Sequence, residues 1–124
     1  MNPSVLQRSF QLLYGNEAEV EQALDDILTS IPREFSLGDN YPNPFNPSTN
    51  IPFAISSPDN ASLIIYDITG RQVRSILNQF LGVGYHSGIW DGRNDSGNLV
   101  SSGVYYYELR TSAFRNFKKM IFIK

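Results

Sequence analysis

From Asn50 to the C-terminus, turn-forming residues cut the chain about every ten residues, and the segments between them alternate apolar with polar side chains. Helices need longer periodic runs, so this spacing confines the region to short strands. Ile51, Phe53 and Ile55 alternate within Asn50–Ser56, and Pro58-Asp59-Asn60 reads as a turn. Leu63 and Ile65 face one way and Ile64, Tyr66 and Ile68 the other, so this strand is apolar on both faces, which predicts a central position. Thr69-Gly70 turns the chain into Gln72–Leu81, where Val73, Ile76, Leu77 and Phe80 fit a strand containing a bulge. Gly82-Val83-Gly84 ends it. Tyr85–Asp91 then sets His86, Gly88 and Trp90 on one side and Tyr85, Ser87 and Ile89 on the other. Asp91–Asn98 is dense in Asp, Asn and Gly, and Val104–Leu109 with Phe114–Ile123 reads as a closing hairpin. The expected fold is mainly β, an antiparallel sandwich of about seven strands.

The N-terminal part has a different pattern. Leu6, Phe10, Leu12 and Tyr14 suggest a strand over Val5–Tyr14, although the same residues also admit a helix. Asn16 is placed to cap an amphipathic helix over Glu17–Ile31, with Glu19 in the capping-box position and Val20, Leu24, Ile27, Leu28 and Ile31 on one face. Pro32 ends it. Charge changes here as well: seven acids stand against one base, Arg33, from Glu17 to Asp39, whereas five acids stand against eight bases from Asn40 onward. A strand and one helix cannot bury their own apolar faces. Residues 1–36 are therefore expected to be the strand–helix remnant or linker of a preceding domain, and residues 37–124 a domain of their own. Docking of the first piece on the second is the other arrangement. The linker Pro32–Asp39, lacking a strong period, is expected to be accessible to a protease.

Composition excludes several classes of function. The formal charge of −2 gives no reason to expect a nucleic-acid partner. The absence of Cys rules out disulfides, thiol catalysis and thiolate metal sites, and His86 is the only histidine. No apolar run approaches the roughly 18 residues of a transmembrane helix, and no leader pattern follows Met1. His86 has serines and acids nearby in sequence, but no nucleophile-elbow motif accompanies it, so no catalytic residues and no cofactor are expected.

Three segments stand out. Tyr41-Pro42-Asn43-Pro44-Phe45-Asn46-Pro47 is too rich in proline for a central strand, so it reads as a stiff edge cap or a recognition epitope, with Tyr41 and Phe45 as its apolar anchors. Asp91-Gly-Arg-Asn-Asp-Ser-Gly-Asn98 is a turn that fails the EF-hand pattern, although Asp91, Asn94 and Asp95 could form a weak calcium site. The last fifteen residues carry Arg110, Arg115, Lys118, Lys119 and Lys124 and no acid. On the last strand, Phe117, Lys119, Ile121 and Ile123 share one face and Lys118, Met120, Phe122 and Lys124 the other. Such a strand suits capture by strand addition or by an acidic groove, and equally a lysine-protected solvent edge. Gly103 is expected to supply a backbone angle or close approach, and Tyr105 to pack. Trp90 and the tyrosines also admit a sugar-stacking platform.

Five blocks in unbroken order carry a resemblance: Leu37-Gly-Asp-Asn-Tyr-Pro-Asn-Pro-Phe-Asn-Pro-Ser-Thr-Asn-Ile51, Leu63-Ile-Ile-Tyr-Asp-Ile-Thr-Gly-Arg-Gln-Val73, Gly88-Ile-Trp-Asp-Gly-Arg-Asn-Asp-Ser-Gly-Asn98, Ser101-Ser-Gly-Val-Tyr-Tyr-Tyr-Glu-Leu109 and Lys118-Lys-Met-Ile-Phe-Ile-Lys124. Together they resemble the type A C-terminal sorting domain of the type IX secretion system, and the same blocks occur in the immunoglobulin-like domain of the flagellar hook-cap protein. The resemblance implies an immunoglobulin-like sandwich that acts as an address and not as an enzyme. Its implied partners are the type IX outer-membrane machinery with its sortase, and a passenger domain upstream in the same chain. The implied location is secreted or at the bacterial cell surface by way of the periplasm. Gly103, Tyr105, Lys118, Lys119 and Lys124 become the residues expected to be read, with Trp90, Asp91 and Gly92 as structural motif residues. A plain immunoglobulin-like spacer and, further off, a carbohydrate-binding module are the alternatives.

Overall fold

The computed structural model describes residues 16–124, which fall into two units divided between Ile31 and Pro32. The expectation for Val5–Tyr14 lies outside the described residues. In the first unit, α1 (Glu17–Thr29) begins where the sequence places it, with Asn16 Oδ1 accepting the Glu19 amide at 2.8 Å. It stops two residues before Ile31: Ser30 is the C-cap, its amide making the last bonds to Asp26 O and Ile27 O, and Pro32 disfavours the helical conformation at Ile31. Val20 is buried, whereas Ile27, Leu28 and Ile31 on the same face stay exposed.

The second unit is the expected sandwich of antiparallel strands in two sheets. Its strands are β1 (Ser36–Leu37), β2 (Thr49–Ile55), β3 (Asp59–Tyr66), β4 (Gln72–Leu81), β5 (Gly84–Trp90), β6 (Gly103–Arg110) and β7 (Arg115–Phe122). One sheet has the order β1-β2-β5 and the other β4-β3-β6-β7. The doubly apolar segment is β3, and it is central. Its register against β4 shifts twice, so the bulge expected in Gln72–Leu81 is present. Period-two alternation sends Ile51, Phe53 and Ile55 from one sheet, and Leu63, Ile65, Tyr105, Tyr107, Leu109, Met120 and Phe122 from the other, into a single core around Trp90. Asp59 and Asn60, read as a turn, already belong to β3, whose turn lies over Ser56–Pro58.

The segment Pro32–Asp39 is not a free linker. Phe35 stacks on Phe114 at 5.9 Å, Leu37 is buried, and Ser36–Leu37 pair with Ala54 and Phe53. The sequence signal was the alternation Phe35-x-Leu37, which is too short to identify a strand without the edge of β2 to receive it. β1 ends because Pro52 cannot continue the ladder: Gly38 N donates to Pro52 O at 2.8 Å, but Pro52 has no N–H to return. The Tyr107 hydroxyl supplies the missing donor to Gly38 O at 2.8 Å and accepts the Asn40 amide at 3.0 Å. Burial pushes the Tyr107 phenol pKa above its ordinary value, so the hydroxyl keeps its proton. Tyr107→Phe leaves both backbone groups without partners and is expected to cost about 1–3 kcal/mol in urea unfolding.

Candidate functional site: the terminal strand and the loops that hold it

Four stretches far apart in sequence meet at the C-terminal end of β7. Phe122 turns inward and stacks on Phe45, with ring centroids 4.9 Å apart, and Trp90 lies 6.0 Å from it. Trp90 in turn is 5.4 Å from Phe45 and meets Tyr105 edge-on at 5.0 Å. The Trp90 indole N–H donates to Arg93 O at 2.9 Å, and the Tyr105 hydroxyl donates to Ser101 O at 2.6 Å. These bonds satisfy the polar tips of two buried rings. Gly92, in a left-handed conformation with φ of 73°, lies under the Phe122 ring, and a Cβ there would sit 2.6 Å from Phe122 Cζ.

The proline-rich loop closes the strand from the side. Phe45 N donates to Ile121 O at 3.0 Å, Ile123 N to Phe45 O at 3.1 Å, and Ile121 N to Asn43 Oδ1 at 3.0 Å. The loop is therefore an edge cap anchored by Phe45, which is 1% exposed. Tyr41 is not an anchor. The residue is 79% exposed, and its backbone holds it, by a reciprocal pair of bonds with Asn50. Pro42 O accepts from the Thr49 hydroxyl at 2.8 Å and from Asn40 Nδ2 at 3.3 Å, which fixes the start of the loop, while Pro44, Asn46 and Pro47 lie on the surface.

The residues expected to be read divide into two groups. Lys119 and Lys124 are exposed, and Lys118, with a side chain 34% exposed, pairs with Asp39 at 2.9 Å. The Lys124 backbone amide is held by Ser102 Oγ at 2.7 Å. Tyr105 is buried, so it shapes the strand from beneath and presents nothing to a partner. Gly103 has an extended positive φ of 156° and open space around its Cβ position, so the backbone angle, and not a close approach, accounts for glycine.

Two other readings give way to the geometry. Most oxygens of the weak calcium candidates have internal partners: Asp91 Oδ1 accepts Arg93 N, Asn94 Oδ1 accepts Ser96 N and Asn98 N, and both Asp95 oxygens are taken, by Ser75 N and the Gln72 amide. Among the described residues no cluster of acids and histidine suits a metal. Trp90 is fully buried and cannot stack on a sugar. The His86 ring lies against Phe53, and its Nε2–H donates to Gly82 O.

Three carboxylates, the exposed Asp95 and the half-buried Asp59 and Asp67, brace the turns around this frame. Ser112 donates its hydroxyl to Asp59 at 2.6 Å, Thr69 donates its hydroxyl to Asp67 at 2.6 Å, and the Ser75 amide holds Asp95 at 2.9 Å. These bonds favour the charged forms and hold all three pKa values below the ordinary 3.8. The unfolded chain therefore binds more protons in the window between the lowered values and 3.8, and stability there rises with pH. Urea midpoints are expected to be level well above 3.8 and to fall as the pH drops through that window. Asp59→Asn is expected to flatten the fall.

On the outer face of the four-stranded sheet, Tyr66, Ile68, Tyr106, Glu108, Arg115 and Phe117 line a groove of about 450 Å³, which the sequence reading did not anticipate. Glu108, buried on that face, takes Arg115 Nε at 2.7 Å and Arg110 at 3.5 Å.

Among solved structures, dimeric latent PorU from Porphyromonas gingivalis aligns with 73% of this chain at 24% identity and a TM-score of 0.59. PorZ from the same organism, described as an essential surface component of the type IX secretion system, aligns with 73% at 23% identity and a TM-score of 0.47. FlgD from P. aeruginosa aligns with 60% at 25% identity and a TM-score of 0.48. The alignments span 9% of the PorU chain, 11% of PorZ and 58% of FlgD. No curated protein matches the chain significantly. The PorU likeness is one of fold. The model of the FlgD Ig-like domain matches residues 45–113, which is more than half of the chain. The chain belongs to the FlgD Ig-like domain family, and its sandwich is a non-catalytic immunoglobulin-like domain.

Proposed function

We propose that residues 37–124 form a C-terminal address domain. It directs a passenger, of which the residues before Pro32 are the adjoining part and to which Pro32–Ser36, packed on the sandwich, is the connection, across the outer membrane by type IX secretion and onto the cell surface. Family membership and the five ordered sequence blocks support an accessory domain of this kind. One observation carries the reading: β7, which leads on to Lys124, lies at the rim of a sheet, with Lys119 and Lys124 exposed, while aromatic side chains pack beneath it. A basic strand displayed in this way suits an acidic receptor surface.

The test is fusion of the 124-residue chain to the C-terminus of a signal-peptide-bearing fluorescent reporter in a host with type IX export. The reporter is expected on the cell surface or in the medium. The double variant Lys119→Glu, Lys124→Glu is expected to remain in the periplasm. Removing Lys118–Lys124 is a poorer control, since it takes Met120 and Phe122 out of the core. Periplasmic retention of the unaltered fusion would leave the spacer reading in place, and export of the double variant would remove the lysines from recognition.

A further inference from the structure

β7 is the last strand of its sheet, so one rim of its backbone faces away from β6. At the C-terminal end that rim is covered by Asn43 and Phe45, which bond Ile121 and Ile123. Antiparallel pairing alternates along a strand, so the orientation that turns Ile121 to the rim turns Lys119, Phe117 and Arg115 the same way. Among the described residues no other strand pairs with these groups, and the Phe117 amide bonds only to the neighbouring Asn116 side chain at 2.9 Å. Arg115, Phe117 and Lys119 share the outer face beside the aromatic groove, and Phe117 is 62% exposed.

Charge decides what fits this rim. If two copies paired antiparallel about Phe117, Arg115 of each would stand opposite Lys119 of the other, and an in-register parallel pair would stack like on like. Both arrangements are repulsive. The same cations that guard the edge against self-association attract acids. Arg115 is already engaged by Glu108, whereas Lys119 makes no ion pair among the described residues.

We propose that the Arg115–Lys119 rim accepts an extended acidic segment of another protein as a fifth strand. Alternate residues of that segment read acid, apolar, acid opposite Lys119, Phe117 and Arg115. Backbone bonds supply the attachment, and the alternate side chains, the apolar one lying beside Phe117 at the groove, supply the selection. This inference rests on the address reading and names the chemistry of its partner.

The full chain, 15N-labelled, is titrated with the capped peptide Thr-Glu-Thr-Val-Thr-Glu-Thr. At about ten times the dissociation constant, exchange of the Lys119 amide with solvent is expected to slow about tenfold, and binding is expected to weaken with added salt. N-methylation of the peptide at the amides facing the rim keeps its charge and is expected to abolish binding. Lys119→Pro removes a rim amide without touching the β6 ladder, and is expected to weaken binding about tenfold or more while the β6 and β7 amides inside the ladder keep their shifts. The proposal falls if the peptide does not bind, if the N-methylated peptide binds equally, or if the perturbed amides lie elsewhere. It also falls if the rim is protected without peptide in a concentration-dependent manner, which would identify a second copy as the occupant. In the export assay, full export of Lys119→Pro alongside retention of the double charge reversal overturns the fifth strand and leaves the address reading intact.

Discussion

Phe45→Ala is expected to lower the unfolding free energy by about 3–5 kcal/mol, from the lost transfer of a fully buried ring and the cavity it leaves. Such a loss is a large part of the total stability of an ordinary domain, about 5–15 kcal/mol. The neighbours of Phe45 give the effect a direction, because its ring is clamped between Trp90 and Phe122. Its backbone holds the final residues at Ile121 and Ile123. Amide exchange at Ile121 and Ile123 is therefore expected to accelerate more than exchange in β3, so that the terminal strand loosens before the sandwich opens. Phe45→Leu, which keeps most of the volume, is expected to cost about 1.5 kcal/mol or less. A midpoint for Phe45→Ala close to that of the unaltered chain would show that the proline-rich loop rests on its proline backbone and not on this ring.

Gly92→Ala is expected to cost about 2–5 kcal/mol, the sum of two separable effects. The left-handed backbone at φ 73° disfavours any Cβ by about 1–2 kcal/mol. The added methyl also meets the Phe122 ring at 2.6 Å, which overpacks the core by about 1–3 kcal/mol. Gly97 separates them, because its φ of 83° is similar but no atom lies within 4 Å of its Cβ position. Gly97→Ala is therefore expected to carry only the backbone cost, about 1–2 kcal/mol. Combining Gly92→Ala with Phe122→Leu is expected to be less damaging than the sum of the two changes, since the smaller side chain yields the space. Equal losses at Gly92 and Gly97 in chemical unfolding would mean that Phe122 shifts freely, and that the end of β7 is not held by this seat.

The sequence singles out Phe45 as an anchor, which it is, and Gly92 only as a motif residue of a turn, whereas in the fold Gly92 seats the Phe122 ring. The proline spacing of Tyr41–Pro47 predicts a rigid edge cap, because proline acts on its own φ and on the residue before it. It does not say which aromatic residue turns inward. Phe45 does so because the inner end of the loop lies over Trp90, and Tyr41 does not because its backbone pairs at the rim with Asn50. In the same way, Asp91, Asn94 and Asp95 look like ligands when counted along the chain. Only the fold brings the Ser75 amide and Gln72, some twenty residues distant, to Asp95.

The strand positions, the bulged β4, the central β3 and the capped start of α1 were legible because each depends on neighbours within a few residues: alternation, turn chemistry and a side chain reaching three positions ahead. The two-residue β1, the seat of Phe122 on Gly92, the hydroxyl that Tyr107 lends to the Pro52 gap and the rim exposed at Arg115–Lys119 were decided by packing. The first three join groups well separated in the chain and the last is the edge such pairing leaves free, and local pattern carries no information about which sheet edge or which ring will stand opposite once the two layers close.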